Sequence, residues 1–187
     1  LRVAAMKPVA SGCEWRDGQL QNEDALALSQ QADIKLPYLQ VNPYAFEPAI
    51  APHLAAKQVG ETISLTVLES QFTAMRLQAD AVVVEGAGGW LVPLNDQQTI
   101  ADLAKALNLP VVLVVAIKLG CINHALLTVQ AIADSGLKLV GWVANDFLDD
   151  SQSTAIIQSL KQRIAAPCLG IVPKLAEDED ASVYLTL

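Results

Sequence analysis

Ala81-Val82-Val83-Val84-Glu85-Gly86-Ala87-Gly88-Gly89-Trp90 is the stretch whose reading decides the fold. Four small or branched apolar residues make a strand suited to burial on both faces, and that strand ends abruptly in a carboxylate. A buried, unpaired carboxylate is costly, so Glu85 is expected to face a cation, a metal or a cleft. The glycines at 86, 88 and 89 permit dihedrals and close approaches that side chains forbid, which suits a phosphate or a small substrate packed against main chain. Taken alone, the segment also reads as a tight strand-to-loop turn with a solvated glutamate. Its recurrence along the chain favours the first reading.

Working outward, apolar strands are expected at 3–6, 81–84, 111–117, 139–144 and 168–171. Helices are expected at 22–31, 53–58, 64–78, 99–107, 122–135 and 151–164. Asn22 is placed to cap the first helix, with Glu23 and Asp24 in its first turn. Leu65, Leu68, Phe72, Met75 and Leu77 fall close to helical spacing. The proline-punctuated stretch 37–52 reads as loop. Strands alternating with helices, each strand continuously apolar, specify an α/β fold: a mostly parallel sheet with helices on both faces. Ligands gather at the carboxyl ends of such strands. Those ends read Lys7-Pro8-Val9-Ala10-Ser11-Gly12, Glu85 to Gly89, Lys118-Leu119-Gly120-Cys121-Ile122-Asn123, Asn145-Asp146 and Pro173-Lys174-Leu175. All five carry polar or glycine-rich chemistry.

The 187 residues suit one domain spanning 1–187. The chain is 52% hydrophobic and 17% charged, with a mean hydropathy of +0.35. Its longest apolar run, 109–117, contains Pro110 and is far short of the roughly 20 residues a membrane-crossing helix needs. No membrane partner and a cytoplasmic location are therefore expected. A net charge of −8 argues against nucleic acid, whose phosphates require a basic face. Cys13, Cys121 and Cys168 show neither disulfide-framework nor zinc spacing and read as reduced thiols. The acidic run Glu177-Asp178-Glu179-Asp180 reads as a solvated turn.

Lys7 stops an apolar strand, where a lysine either snorkels to solvent or fixes an anion. The neighbouring Ser11-Gly12 favours the anion. Asp24 and Glu85 are hard oxygen ligands of the kind Mg²⁺ takes, with nucleotide phosphates and water completing its shell. Gly120-Cys121-Ile122-Asn123 opens a helix whose free amides suit a carboxylate or phosphate. Cys121 reads as structural, and His124 as packed and hydrogen-bonded. Asn145 either reads an adenine edge or caps a helix.

These strings identify a family. Met6-Lys7-Pro8-Val9-Ala10-Ser11-Gly12, Val84-Glu85-Gly86-Ala87-Gly88-Gly89-Trp90, Lys118 to Ala125 and Gly141-Trp142-Val143-Ala144-Asn145-Asp146 strongly resemble the dethiobiotin synthetases, biotin-pathway enzymes of the P-loop superfamily. The resemblance implies ATP- and Mg²⁺-dependent carboxylation and ring closure of 7,8-diaminononanoate with CO₂. That reaction proceeds through a carbamate and a carbamic-phosphoric anhydride. The resemblance gives Lys7 the carbamate and the transferring phosphoryl group, Ser11 the substrate, and Asp24 and Glu85 the metal beside the nucleotide. Gly86, Ala87 and Gly88 would line the site. Asn145 would read the adenine with Asp146 beside it, and Pro173, Lys174, Leu175 and Asp180 would border base and ribose. The family usually carries glutamate where Asp180 falls and often an aromatic where Lys174 falls. It also implies a homodimer, in which Gly120, Cys121, Ile122 and Asn123 bind the substrate carboxylate held in the other subunit.

The same resemblance implies a phosphate-binding loop of the Gly-x-x-x-x-x-Gly-Lys-Thr type and a first strand ahead of Leu1. The sequence does not contain them, and an N-terminally shortened form of a complete enzyme is expected. Other readings are another ATP-dependent amide-forming ligase of the superfamily, a partition-type ATPase, or a degenerate non-catalytic relative. The first usually adds a glutamine-hydrolysing domain, and the second needs a binding surface that this acidic chain lacks. The third need not keep Lys7, Asp24 and Glu85 together.

Overall fold

The computed structural model describes residues 1–147, 151–176 and 179–186. Its contacts divide the chain into two compact units, Leu1–Leu107 and Asn108–Leu187.

In the first unit, β1 (Val3–Met6) pairs in parallel with β6 (Ala81–Val84), Met6 opposite Val84. Both strands run in the same direction and stop at the same level, so their exits Lys7 and Glu85 emerge together. β2 (Val9–Ser11) pairs in parallel with β5 (Tyr44–Phe46). β3 (Glu14–Arg16) and β4 (Gln19–Gln21) form an antiparallel hairpin. Its turn residues Asp17 and Gly18 both have positive φ, the backbone that a two-residue hairpin loop requires. Helix α1 (Glu23–Gln31) starts where expected, with the Asn22 side chain accepting from the Ala25 N–H. A short α2 (Tyr38–Val41) and α3 (Pro52–Gln58) follow. Helix α4 (Leu65–Arg76) buries Leu65, Leu68, Phe72 and Met75. Leu77, expected on that face, lies at the helix end and is exposed.

Helix α5 (Ile100–Leu107) closes the unit. The Asp102 Oδ2 accepts from the Thr99 N–H and the Thr99 hydroxyl, both at 2.8 Å, a reciprocal start of the capping-box kind.

The second unit is a β-α-β-α-β run. β7 (Val111–Ala116), β8 (Leu139–Asn145) and β9 (Cys168–Val172) form a parallel sheet with β8 central. Helices α6 (Cys121–Asp134) and α7 (Ser151–Arg163) make the crossovers. The core gathers Val115, Ile117, Cys121, Ala125, Trp142, Ala144, Ile157, Leu160 and Ile164. Trp142 is wholly buried, and its indole N–H finds no acceptor among the described residues.

The α/β organisation and the parallel pairing are as expected. The stretch 37–52, expected as loop, instead holds α2 and β5, and residues 9–21, for which no element was expected, hold β2 to β4. These elements are three or four residues long, too short for apolar periodicity to register, and β2 and β5 exist only by pairing with each other across the sequence. The cysteines are free thiols. His124, expected to be packed, is exposed. Of the acidic run, Glu177 and Asp178 lie outside the described residues. Among the described residues no helix is long and apolar enough to cross a membrane.

Two predictions follow from packing and capping. A Cβ on Gly170 would sit 2.2 Å from the Tyr184 backbone oxygen, where the C-terminal segment is bound by the Thr186 N–H donating to Leu169 O at 2.7 Å. Gly170→Ala should release that segment, seen as accelerated amide exchange at Thr186 while Val143 in β8 stays protected. At α5, the hydrogen bonds from Thr99 hold the Asp102 carboxyl below the usual carboxylate range. A depressed folded-state value contributes stability above the unfolded carboxyl's titration and loses it as pH falls through the folded one. Asp102→Ala should therefore cost about 1 kcal/mol at pH 7. The difference from the parent should shrink in denaturant melts as pH drops below about 4.

Candidate active site

Lys7 is the centre of the first-unit site. The β1–β6 ladder continues one residue past the strands, with the Glu85 N–H donating to Met6 O at 2.9 Å. This sets Glu85 beside Lys7. The first turn of α1 brings Asp24 to the same point. The Lys7 ammonium donates to Asp24 Oδ2 at 2.9 Å, to Glu85 Oε1 at 2.5 Å and to the Gly86 carbonyl at 3.1 Å. An ammonium has three donors, so all of them are occupied. The Lys7 side chain is only 6% exposed, whereas those of Asp24 and Glu85 are 57% and 46% exposed. Two carboxylates around one ammonium leave a net negative charge on the solvent side, which attracts a further cation. The snorkelling reading of Lys7 is thereby ruled out.

The surrounding cleft has a volume of about 280 Å³ and is lined by Ser11, Ile50, Pro52, Ala87, Gly88 and Val92 among others. The Ser11 hydroxyl oxygen is buried in this wall with no hydrogen-bond partner among the described residues. A buried polar atom left unpaired costs roughly 1–3 kcal/mol, so it is available to a ligand. Gly88 takes φ +72° and lies so close to Val92 that a Cβ would meet Cγ2 at 2.9 Å. This glycine is required both by its dihedral and by the space available.

What holds Lys7 in place could not be read from motifs. Its N–H donates to Val41 O at 2.8 Å. Its carbonyl accepts from the Asn42 Nδ2 at 2.7 Å, and that amide also donates to Tyr44 O at 3.1 Å. Asn42 is fully buried. The Tyr38 hydroxyl donates to Asn42 Oδ1 at 2.9 Å and accepts from the Asn22 N–H at 2.8 Å. Burial pushes the Tyr38 phenol up, keeping it protonated as the donor this chain requires. The backbone of Lys7 is thus connected to the cap of the helix that carries Asp24. The sequence signal was Asn42-Pro43 between two apolar runs, a polar residue within otherwise buried surroundings. Nearby, burial also pushes the Cys13 thiol up, which leaves it inert.

The second unit carries its own cleft, about 490 Å³ in volume. Its walls are Val114, Val143, Val172, Pro173, Leu175 and Phe147, with Asn145 and Lys174 supplying polar groups. Asn145 ends β8 six residues before α7 begins, so it does not cap that helix. Asp146 is buried and does not line the cleft. The Asp180 carboxylate caps the turn at 181–184, accepting from the Ser182 N–H and hydroxyl at 2.8 Å each. These bonds hold it below its usual range. Gly120 takes φ +89° at the start of α6, Cys121 is buried and Asn123 is exposed. The structure thus gathers Lys7, Ser11, Asp24, Ala87 and Gly88 in one cleft, and Asn145, Pro173, Lys174 and Leu175 in another.

Comparison with known proteins matches a family model described as an AAA domain over residues 1–182. An ATP-dependent dethiobiotin synthetase from Cellvibrio japonicus is 53% identical over 100% of the chain and 83% of its own length. One from Pseudomonas aeruginosa is 53% identical over 98% of the chain and 81% of its length. One from Escherichia coli O157:H7 is 48% identical over 96% of the chain and 80% of its length. Among solved structures, the MinD cell division protein of Aquifex aeolicus superposes with a TM-score of 0.55 at 12% identity, covering 93% of this chain and 70% of that one. The fold is P-loop NTPase-like.

The buried network around Asn42 yields a prediction. Asn42→Ala leaves the Lys7 and Tyr44 carbonyls without this donor and Tyr38 without its acceptor, at about 1–3 kcal/mol for each buried group left unpaired. A loss near 3 kcal/mol in urea unfolding is expected. Tyr38→Phe, which removes one hydroxyl, should cost about 1 kcal/mol.

Proposed function

The chain belongs to the dethiobiotin synthetase family, and on that premise we propose how its residues serve the ATP-dependent closure of 7,8-diaminononanoate and CO₂ to dethiobiotin, ADP and phosphate. The observation that carries this reading is the near-complete burial of Lys7 between two half-open carboxylates.

One amine of the substrate adds to CO₂ and loses a proton, giving a carbamate. A carbamate oxygen attacks the γ-phosphorus of ATP, and ADP leaves. The second amine then attacks the carbamoyl carbon of the mixed anhydride and loses a proton as phosphate departs, and the ring closes as a cyclic urea. Each step moves negative charge among oxygens rather than requiring a protein nucleophile, so positioning and charge neutralisation carry the catalysis. Lys7 supplies the positive charge next to the carbamate and the moving phosphoryl group. Its three donors already have acceptors, so a substrate oxyanion binds by replacing one of them. The unpaired Ser11 hydroxyl offers a hydrogen bond to the diamine, and Gly86, Ala87 and Gly88 let substrate approach the main chain.

Asp24 and Glu85 fit Mg²⁺, which takes one or two carboxylates with phosphate oxygens and water and needs no larger protein cage. When bound, Mg²⁺ neutralises charge on the nucleotide phosphates. In the second unit, Asn145 with Pro173, Lys174 and Leu175 receives the base, and Asp146 and Asp180 flank that end. The protein acts in the cytoplasm as a homodimer, and Gly120, Cys121, Ile122 and Asn123 contribute backbone amides to the substrate carboxylate in the partner subunit.

Diamine-stimulated, CO₂-dependent ADP release tests this. Lys7→Ala should lower turnover by roughly a hundred- to a thousandfold, with Asp24→Asn and Glu85→Gln raising the Mg²⁺ concentration needed for half-maximal rate. Unchanged turnover in Lys7→Ala would refute the role of the lysine.

A further inference from the structure

The end of β8 is pinned on both sides. The Ile117 N–H donates to Asn145 O at 2.8 Å, and the Asp146 N–H donates to Val172 O at 2.7 Å. With those two residues held, Phe147 leaves the sheet at a fixed point. Its side chain lines the second-unit cleft, yet it remains 55% exposed. A half-exposed phenylalanine forgoes much of the free energy that burial would give it. Among the described residues lining this cleft it is the one aromatic ring, and the remaining apolar walls are aliphatic or proline.

We propose that Phe147 is the ring against which the nucleobase stacks, so that affinity for the base and recognition of its identity reside in different residues. This rests on the placement of the base in the second-unit cleft given above. Every base presents a π-face, so stacking strengthens binding without distinguishing one base from another. The Asn145 amide, with one donor and one acceptor side, pairs with a particular edge and supplies discrimination.

Steady-state kinetics with ATP, GTP and CTP as alternative nucleotides test the division. Phe147→Ala should raise KM for all three by a similar factor, on the order of tenfold, with rates at saturating nucleotide within about twofold of the parent. Phe147→Trp should restore KM. Phe147→Leu keeps apolar bulk without a π-face and should behave like the alanine variant. Asn145→Ala should instead change the ratio of kcat/KM between ATP and the other two. Because Phe147 is half-exposed, the melting temperatures of its variants should stay close to the parent's, which separates a binding effect from a folding one.

Full rescue by leucine, or a rise in KM for ATP alone, would overturn the stacking role. If Phe147→Ala leaves every KM within twofold while Asn145→Ala changes them, the ring has no part and the placement of the base stands. If neither variant affects any nucleotide KM, the base does not bind in this cleft, and the underlying placement fails.

Discussion

The first-unit site depends on one buried ammonium. Lys7 brings its ammonium into a nearly solvent-free position, where three acceptors surround it at hydrogen-bond distance. Each acceptor comes from a different piece of local structure: the first turn of α1, the end of β6, and the main chain just beyond it. Their convergence is a strong constraint, since a buried cation deprived of one partner is far less stable than the intact cluster. The cluster therefore fixes the position of α1 relative to the β1–β6 pair as firmly as it prepares a place for an oxyanion.

Function and stability are coupled through the same atoms. The carboxylates that stabilise Lys7 from the inside remain about half open on the outside, where hard oxygen donors are free to meet a divalent cation. The backbone of Lys7 is held independently by Val41 and Asn42. Substrate can therefore exchange with one of the side-chain acceptors without loosening the strand exit. Ser11 and Trp142 show two different uses of a buried polar atom left unpaired among the described residues. The Ser11 hydroxyl lines a cleft and has a prospective partner, whereas the Trp142 indole lies in a packed core where its bulk outweighs one missing hydrogen bond.

Much of this architecture was legible in the sequence, and for a consistent reason. β1, β6, β7, β8 and β9 are continuous apolar runs, and α1 and α4 to α7 carry periodicity or caps, so each announces itself within its own window of residues. β2 to β5 and α2 do not. Asp17 and Gly18 have the positive φ angles of a tight hairpin turn, but the strands they join are three residues each. No window of sequence contains both β2 and β5, whose partners lie 35 residues apart.

The amino-acid sequence by itself determined the α/β class, the parallel strands, the chemistry at the strand exits and the residue types from which the site is built. These are properties of short segments, set by which side chains must leave water and which backbone angles glycine or a cap permits. Only the tertiary structure decided that Lys7 has no donor to spare, that Tyr38 and Asn42 connect it to the cap of α1, that Asp146 is buried while Asp180 caps the turn at 181–184, and that Phe147 stands half-exposed in a cleft. Those facts depend on distances between residues far apart in the chain. A distance of that kind is fixed by packing and by the need to pair every buried polar group, which no single segment can satisfy alone.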